Sequence, residues 1–511
     1  MAVYDPPSVK TPPPGQPTPD MIPVTNPITG ETIGSIPVMK ADEVRAAVER
    51  ARAAQPAWAA LGVKARARLI QQWNQALWED QKAFIDLIRR EMGKTEGAAF
   101  VEVAVVDIIA TFYARKAPRL LRPNGRKPAF PLEHYAKVIY KPYGVVGFIT
   151  PWNYPLLNGI GDIIAALIAG NTAVIKPSEI TPFTAIRAVE LMHKMGIPRD
   201  VVQIVTGAGS TGAALVDLVD YVSFTGSTAT GRKIAVRCAE RLIPCSLELG
   251  GKDPAIVLPD ANLDDAAKGV LAGALENTGQ VCVSTERVYV DQSIYEPFMA
   301  KLLDTVKGMK YGGGDGLGVH FGSLTNEREL LRAEDHIADA VAKGAQVVYG
   351  GKRRPDLGPL FFEPTILTNV DHTMRVMTEE TFGPLVPVMK VRDVDEAVRL
   401  ANDSEYGLSA AVFSSSPVKA EAVAKRIVAG DVAVNHPMLT FGTPGAPMGG
   451  APGRASGLGR RNGIEGLMRF VSPQAITVDR GWVVGAQLSH SPPRAVLLAK
   501  IMHELRKFLP V

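Results

Sequence analysis

Cysteine is scarce in this chain of 511 residues, which contains only Cys238, Cys245 and Cys282. An odd number of cysteines without paired spacing excludes a disulfide-stabilised secreted scaffold and favours a reducing compartment. The sequence also lacks a basic start followed by an apolar run, the pattern of a secretory signal peptide. We therefore expect a cytoplasmic protein.

An excess of one charge is absent as well. The chain has 56 Lys and Arg against 52 Asp and Glu, a net charge of +4. So small an imbalance excludes a general nucleic-acid binder and favours a small-molecule ligand. No metal-ligand spacing stands out among eight histidines and three cysteines, so we predict no catalytic metal. The longest charge-free stretch, residues 142–161, holds three prolines and four glycines, which favour strand, loop and helix start over a membrane span.

Helical periodicity dominates the first part of the chain. The residues through Pro27 include nine prolines, from which we expect an arm that is extended or partly mobile. Apolar residues then recur at intervals of three and four over residues 41–60, 63–92 and 98–115, which predicts amphipathic scaffold helices. A proline-rich, basic connection follows through Leu132.

Short β-rich runs alternate with helical patterns in the rest of the chain, in one series before Gly251 and another after it. Such alternation predicts two α/β domains with parallel sheets and a ligand at the carboxyl ends of the strands. The predicted strands are residues 145–149, 173–175, 201–205, 221–224, 255–258, 287–290, 346–348, 386–391, 410–413 and 432–434.

A glycine-rich turn at residues 207–212 follows a predicted strand and opens a helix, as a dinucleotide-binding fingerprint does. That fingerprint also needs an acidic residue after the next strand, whereas Asp217 and Asp220 precede it. We favour a structural βα turn over a phosphate contact.

Two residues carry the pattern of acyl chemistry. Cys282 ends a turn-forming segment between a helix and a strand, where a thiol can reach a substrate, whereas Cys238 and Cys245 fall in a predicted helix and strand. Glu248 stands between two leucines at a strand end, where desolvation raises the pKa of a carboxyl and suits it as a base. A thiolate that attacks and a carboxylate that activates water would together support acyl transfer.

Six sequence blocks resemble, in order, the signatures of the aldehyde dehydrogenase superfamily over about residues 22–478. The resemblance implies an α/β fold with an atypical Rossmann cofactor domain, a second α/β catalytic domain and a β oligomerisation arm. The blocks are PWNYP at 151–155, KPSE at 176–179, FTGSTATG at 224–231, ELGGK at 248–252, GQVC at 279–282 and ETFGP at 380–384.

The resemblance also implies the roles of the catalytic residues. Cys282 would be the nucleophile that forms a thiohemiacetal and then a thioester. The Asn153 amide and the Cys282 backbone N–H would form the oxyanion hole, and Glu248 would activate the water that releases the acid.

The implied cofactor is NAD, preferred over NADP because a carboxylate at Glu179 would accept ribose hydroxyl hydrogen bonds and repel a 2′-phosphate. Lys176 and Glu179 would hold the adenosine ribose, and Trp152 and Ser227 would contact phosphate. The full set of implied cofactor contacts is Trp152, Lys176, Ser178, Glu179, Gly226, Ser227, Gly231, Leu249, Glu380 and Phe382.

The sequence departs from the family at positions that read the substrate. Relatives acting on succinate semialdehyde carry arginines where this chain has Gly161 and Glu276. Because Glu276 would repel a carboxylate, we expect an uncharged aliphatic or aromatic aldehyde. Succinate semialdehyde and CoA-acylating chemistry are the alternatives, and Glu248 argues against the second. Residues 449–457 form a turn about two residues longer than usual, expected near the mouth of the substrate tunnel.

The resemblance fixes the expected domain boundaries. Residues 1–121 and 144–250 form the NAD-binding domain, with a proline-rich arm at 1–21, and residues 251–469 form the catalytic domain. Oligomerisation strands at 122–143 and 470–480 imply a homodimer or homotetramer. Residues 481–511 form a tail whose amphipathic helix, at 493–511, either packs on the protein, the commoner case, or makes peripheral membrane contact.

Overall fold

The computed structural model describes residues 20–128, 134–313 and 316–479, and six further positions between 496 and 504. Most of the predicted terminal helix and most of the predicted tail therefore lie outside the described residues. The chain divides into two compact units: Met1–Leu120 with Pro142–Val471, and Leu121–Lys141 with Ser472–Val511. The two predicted α/β domains both fall within the first unit.

The strands of the described residues form four sheets. Every strand predicted in the two series is present, with ends shifted by at most a few residues. The strands are β1 (Met21–Thr25), β2 (Thr32–Pro37), β3 (Asn124–Arg126), β4 (His134–Pro142), β5 (Val145–Ile149), β6 (Thr172–Lys176), β7 (Val202–Ile204), β8 (Tyr221–Thr225), β9 (Cys245–Glu248), β10 (Asp253–Val257), β11 (Thr285–Asp291), β12 (Gln346–Tyr349), β13 (Thr365–Thr368), β14 (Leu385–Val391), β15 (Ser409–Phe413), β16 (Asp431–Val434), β17 (Gly457–Leu458) and β18 (Val471–Asp479).

The helices of the described residues pack on the two large sheets and on one another. They are α1 (Ala41–Ala60), α2 (Val63–Glu79), α3 (Gln81–Met92), α4 (Glu96–Leu120), α5 (Leu157–Ala169), α6 (Phe183–Lys194), α7 (Gly209–Val216), α8 (Thr228–Glu240), α9 (Leu263–Leu275), α10 (Tyr295–Lys307), α11 (Glu327–Ala342), α12 (Arg375–Thr378), α13 (Val394–Asn402), α14 (Pro417–Ala424), α15 (Leu439–Gly442) and α16 (Gly463–Met468).

One expectation for the first part of the chain was wrong. Residues 63–92 form two helices rather than one, because the backbone leaves helical geometry at Asp80, where φ is −96° and ψ is 11°. The apolar period continues across this break, with Leu77 and Phe84 both fully buried. The predicted extended arm contains β1, which pairs antiparallel with β2 in a hairpin.

Helix α4 is long and apolar enough to span a membrane by length and composition alone. About half of its most apolar stretch is buried, and it packs against α2, α3 and α5. In this fold α4 is a core helix.

The first large sheet has the strand order β17-β9-β8-β5-β6-β7. Strands β5 to β9 are parallel, and β17 pairs antiparallel with β9. The second sheet has the order β12-β13-β14-β11-β10-β15-β16, parallel apart from β12. Since parallel strands end at the same edge, each sheet gathers its strand-end loops on one side.

The second unit contains a sheet of order β18-β4-β3. Its strands fall inside the segments predicted for oligomerisation, residues 122–143 and 470–480. Three strands therefore form this sheet, where a pair was expected.

The glycine-rich turn at residues 207–212 connects β7 to α7. The Thr211 hydroxyl in this turn donates to the backbone carbonyl of Met39 at 2.9 Å. A Cβ at Gly207, where φ is +142°, would overlap the Thr211 side chain. These contacts are those of a structural turn.

Candidate active site

Cys282 follows a strained turn. Helix α9 ends at Leu275, and the next residues form a 3₁₀ turn in which Asn277 and Thr278 have φ of 51° and 58°. Positive φ at a β-branched residue such as Thr278 is costly and marks a functional or switching position more often than a passive one. Gly279 packs so closely on the backbone of Gly383 that a Cβ would collide with it.

Buried amides hold this turn and bring Asn153 to it. The Gln280 side chain donates to the carbonyl of Asn277 at 3.0 Å and accepts from the N–H of Thr325 at 2.9 Å. The Asn153 side chain donates to the Gln280 carbonyl at 3.0 Å, and Asn277 donates to the Asn153 carbonyl at 3.2 Å. Asn153 therefore lies beside the turn that carries Cys282, as the sequence predicts.

A buried carboxylate fixes the segment that carries Asn153. One oxygen of Glu102 accepts the N–H groups of Leu156 and Leu157, at 2.7 and 2.9 Å, where α5 begins. The other lies 2.7 Å from Nζ of Lys94, and both side chains are fully buried. The exposed N–H groups and dipole of a helix start favour such a negative charge.

Glu248 is the last residue of β9 and only 3% exposed. Neither carboxylate oxygen has a hydrogen-bond partner among the described residues. Burial raises the pKa of this carboxyl to about 8, against the opposing charges of Arg461 and Arg469. Burial likewise raises the pKa of the Cys282 thiol to about 12, with Arg461 opposing. Glu248 is thus the group that changes protonation nearer neutral pH.

Cys282 borders two cavities. The polar cavity is lined by Pro151, Trp152, Thr225, Gly226, Ser227, Glu248, Leu249, Gly250, Cys282, Arg328, Glu329, Arg332, Glu380 and Phe382. The apolar cavity is lined by Val105, Ile109, Tyr154, Leu157, Asn158, Val281, Cys282, Thr440, Phe441, Pro444, Met448, Arg461 and Asn462. Six of the predicted cofactor contacts line the polar cavity: Trp152, Gly226, Ser227, Leu249, Glu380 and Phe382.

Another buried carboxylate positions Glu380 and Phe382. The Glu286 side chain accepts the N–H groups of Thr381 and Phe382 at 2.8 and 2.9 Å and pairs with Nζ of Lys252 at 2.6 Å. Phe382 has φ of +57° and contacts the Trp152 ring edge-on, with ring centroids 5.3 Å apart. Burial, reinforced by the charge of Glu286, raises the pKa of Glu380 to about 8.

Helix α8 begins at the polar cavity. The Ser227 hydroxyl accepts the N–H of Thr230 at 3.4 Å and caps the helix. Gly231 packs against Leu249 so tightly that a Cβ would overlap the leucine side chain. A helix start with free N–H groups is a natural site for a phosphate.

Lys176, Ser178 and Glu179 lie at the carboxyl end of β6 and not in the lining of the polar cavity. Nζ of Lys176 lies 3.0 Å from the Glu179 carboxylate, and the Ser178 hydroxyl accepts the N–H of Ile180 at 3.3 Å. The Lys176 carbonyl accepts the N–H of Thr150, which links this segment to the one carrying Trp152.

Comparison with known proteins identifies the family. The model of the aldehyde dehydrogenase family matches residues 15–476. The chain belongs to the aldehyde dehydrogenase family. A putative succinate-semialdehyde dehydrogenase [NADP(+)] 2 of Mycobacterium tuberculosis is 44% identical over 454 residues, 88% of this chain and 87% of that protein. The succinate-semialdehyde dehydrogenase [NADP(+)] of Escherichia coli is 39% identical, over 88% of this chain and 93% of that protein.

Solved structures agree with the family and the fold. A Mycobacterium tuberculosis aldehyde dehydrogenase crystallised with NAD+ has a TM-score of 0.87 at 33% identity, covering 91% of this chain and 96% of that one. The predicted α/β aldehyde dehydrogenase-like architecture is therefore confirmed. As an aldehyde dehydrogenase, the protein is an oxidoreductase that acts on aldehydes.

Several residues at the site of this aldehyde dehydrogenase were not predicted from its sequence. Arg328, Glu329 and Arg332 reach the polar cavity from the first turns of α11. Glu329 pairs with both arginines, at 2.8 and 2.7 Å. The signal available in the sequence was their spacing after Asn326, which caps the helix. Arg332 follows Arg328 by four residues and Glu329 by three, which places the three side chains on one helix face. Arg461 reaches the apolar cavity and was also missed.

The substrate argument needs a correction. Glu276 does not line the apolar cavity; burial raises the pKa of its carboxyl, with the ammonium of Lys94 opposing. The repulsion expected between Glu276 and a substrate carboxylate therefore has no basis in the cavity lining. Gly161 lies behind the residues that line the apolar cavity. A Cβ at position 161 would lie 3.4 Å from Leu157 and 3.9 Å from Ile109, which are both lining residues.

The long turn at residues 449–457 also differs from expectation. None of its residues is in the lining of the apolar cavity. Ala451 and Ala455 donate to the carbonyls of Gly407 and Glu405, both at 2.8 Å, and part of the turn lines a separate cavity beside α8 and β9. Four residues of the turn, Gly453, Arg454, Ala455 and Gly457, line that separate cavity.

Proposed function

We propose that this protein catalyses the NAD-dependent oxidation of an uncharged aldehyde to its carboxylic acid through a thiohemiacetal and a thioester on Cys282. The observation that carries the proposal is the position of one thiol between two cavities. Hydride transfer from an aldehyde to a nicotinamide needs the nicotinamide ring beside the aldehyde carbon. Cys282 borders one cavity for each of the two molecules.

The residues of the polar cavity fit a nicotinamide dinucleotide. The capped start of α8 offers N–H groups to a diphosphate. The lack of a side chain at Gly250 leaves room beside Glu380, because a Cβ at position 250 would lie 2.7 Å from Oε2 of Glu380. When bound, the nicotinamide supplies the hydride acceptor for aldehyde oxidation.

The protein residues supply the remaining steps. The Cys282 sulfur attacks the aldehyde carbon, and the Asn153 amide donates a hydrogen bond to the oxygen that becomes negative. Glu248, whose two oxygens have no hydrogen-bond partner in the described part of the chain, accepts the proton of the water that hydrolyses the thioester. The acid leaves and the thiol is restored.

The preference for NAD over NADP rests on Glu179. Its carboxylate lies 3.0 Å from Nζ of Lys176, so the pair offers both a donor and an acceptor to ribose hydroxyls. A carboxylate repels a 2′-phosphate. The curated relatives quoted above are named for NADP(+), whereas the quoted crystal structure contains NAD+.

The uncharged substrate rests on the lining of the apolar cavity. Most lining side chains are apolar, and Arg461, the one cation in the lining among the described residues, is paired with Asp162 at 3.3 Å. An aliphatic or aromatic group gains the free energy of burial there without leaving a charge unpaired.

Succinate semialdehyde is the second candidate substrate. The quoted relatives carry that name, and Arg461 is a guanidinium within the cavity lining. If Arg461 binds a substrate carboxylate, the Arg461→Gln enzyme should lose affinity for succinate semialdehyde and retain its KM for butanal.

The test is NADH or NADPH formation across aliphatic and aromatic aldehydes and succinate semialdehyde, with and without CoA. We expect turnover of uncharged aldehydes with NAD, independent of CoA. Preferred turnover of succinate semialdehyde would contradict the substrate assignment, and a requirement for CoA would contradict hydrolysis by Glu248.

The cofactor preference has its own comparison. Glu179→Ser should raise kcat/KM for NADP relative to NAD, whereas Glu190→Ser on α6 should leave the ratio unchanged. A parent enzyme that prefers NADP would contradict the role given to Glu179.

We also propose a cytoplasmic homodimer or homotetramer, on the family resemblance of the segments that contain β3, β4 and β18. Light scattering after size exclusion should give two or four chains per particle. A monomer that is fully active would contradict this proposal.

A further inference from the structure

A buried ion cluster of Asp162, Arg461 and Arg469 lies next to the reacting residues. Arg461 lies 3.3 Å and Arg469 2.7 Å from the carboxylate oxygens of Asp162. The Asn158 side chain accepts a further hydrogen bond from Arg461 at 2.8 Å. Two guanidiniums therefore share one carboxylate, and the cluster holds one positive charge in excess.

The charges of the cluster hold each other ionised. Although burial alone would raise it, Arg461 and Arg469 keep the pKa of Asp162 below its ordinary value. Asp162 in turn orients Arg461, which is only 7% exposed. The excess charge is thus shielded from water and acts on its neighbours over a larger distance than a surface charge would.

Cys282 and Glu248 are the groups that this excess charge meets. Arg461 lines the same cavity as Cys282, and Arg469 donates to the Ser246 hydroxyl on β9, two residues before Glu248, at 3.2 Å. Arg461 opposes the effect of burial on the pKa of both Cys282 and Glu248, and Arg469 does so for Glu248. The other charged or titratable groups facing them from neighbouring elements are Tyr154 before α5, Asp253 on β10, Glu380 after α12 and Arg460 beside Arg461.

We propose that Arg461 is a positioning residue whose guanidinium, oriented by Asp162, stabilises one negative charge in the site at a time. That charge is on the Cys282 thiolate before attack and on the Glu248 carboxylate before water is activated. A proton that passes from the Cys282 sulfur to a Glu248 oxygen leaves the total charge unchanged. The inference rests on the proposed function for the roles of these two residues.

Substitutions on the two sides of the ion pair separate this role from a structural one. Arg461→Gln removes the positive charge, and Asp162→Asn removes the negative charge that offsets it. The thiolate fraction of Cys282 should therefore fall in the first variant and rise in the second, whereas lost packing would affect both in the same direction.

The measurement is the rate of Cys282 alkylation by iodoacetamide from pH 6 to 9, with the modified peptide quantified by mass spectrometry. We expect Arg461→Gln to slow alkylation about tenfold at pH 7.5, the effect of one unit in pKa. Asp162→Asn should accelerate it, and Arg461→Lys, which keeps the charge, should stay within about threefold of the parent protein. Arg399→Gln, an exposed charge removal on α13, should change nothing.

Circular dichroism of each variant verifies folding. If Arg461→Gln does not fold, two other results still support the proposal: faster Cys282 alkylation in Asp162→Asn and a nearly unchanged alkylation rate in Arg461→Lys. Slower alkylation in both Arg461→Gln and Asp162→Asn, or a loss in Arg461→Lys equal to that in Arg461→Gln, overturns it. Alkylation needs neither aldehyde nor nicotinamide. The proposal for Arg461 and the proposed aldehyde oxidation can therefore each fail while the other is supported.

Discussion

At the scale of single residues, the site combines strain with desolvation. Thr278 and Phe382 hold positive φ on the two segments that flank Cys282 and Glu380. Glu248 is buried without a hydrogen-bond partner among the described residues. Such arrangements cost stability and persist where surrounding structure enforces them, as they do in catalytic sites.

The pH dependence of turnover follows from Glu248. Burial raises the pKa of its carboxyl from 4.5 to about 8, and only the ionised form accepts a proton from water. The rate at saturating substrate should therefore rise with pH through about 8. In Glu248→Gln this inflection should disappear along with most of the activity. A flat profile from pH 6 to 9 in the parent enzyme, or an unchanged inflection in the variant, would contradict the assignment.

The oxyanion donor gives a second prediction. Asn153→Ala removes the amide beside the Cys282 turn, and the loss of one such donor lowers kcat by about 100- to 1,000-fold. Steady-state kinetics should show this loss in kcat, while binding of the cofactor, followed by calorimetry, stays unchanged. Gln71→Ala, which removes an exposed amide on α2, serves as the control. A loss below tenfold would count against Asn153 as a donor.

At the scale of elements, buried carboxylates hold the ends of segments that carry the site. Glu102 binds the start of α5, and Glu286 binds the backbone at Thr381 and Phe382. Glu91 binds the N–H groups of Phe183 and Thr184 at the start of α6, at 2.5 and 2.8 Å. Each carboxylate comes from an element distant in sequence, so tertiary packing and site geometry depend on one another.

The pair of Glu102 and Lys94 gives the prediction at this scale. Glu102→Ala leaves the Lys94 ammonium buried without its partner and should lower the free energy of unfolding by about 3–5 kcal/mol. The double variant Lys94→Met with Glu102→Gln should lose less, because no bare charge stays buried. Urea unfolding followed by fluorescence measures both.

A matched control is Glu421→Ala, which removes one partner of an exposed pair with Lys425 and should leave the urea midpoint unchanged. The contradicting outcome is additivity: the double variant would lose as much free energy of unfolding as Lys94→Met and Glu102→Gln lose together when each is measured alone. The pair would then contribute through its packing and not through its charge.

Most of the ten strands in the two series could be predicted because they are short runs rich in β-branched residues between turn residues, as at β5 and β6. The split between α2 and α3 could not, since the apolar period continues through Asp80. Cys282 and Glu248 were found from their local setting and the family resemblance. Arg461 was not, because two adjacent arginines suggest an exposed surface, and only pairing with Asp162, 299 residues away in sequence, buries it.

At the scale of the whole molecule, the first compact unit contains both large sheets and the complete candidate site. Glu248 ends β9 in the first sheet, and Cys282 lies between α9 and β11 of the second. The proposed base and the proposed nucleophile therefore come from segments of different sheets, and the loops at the strand ends place both beside the polar cavity.

The most direct test of this account is to trap the thioester. Glu248→Gln is mixed with NAD and hexanal, quenched in acid and digested, and its peptides are analysed by mass spectrometry. The account predicts an acyl group on the peptide that contains Cys282, none on Cys238 or Cys245, and a burst of one NADH per chain. An acyl group on another residue, or sustained NADH formation at the parent rate, would contradict it.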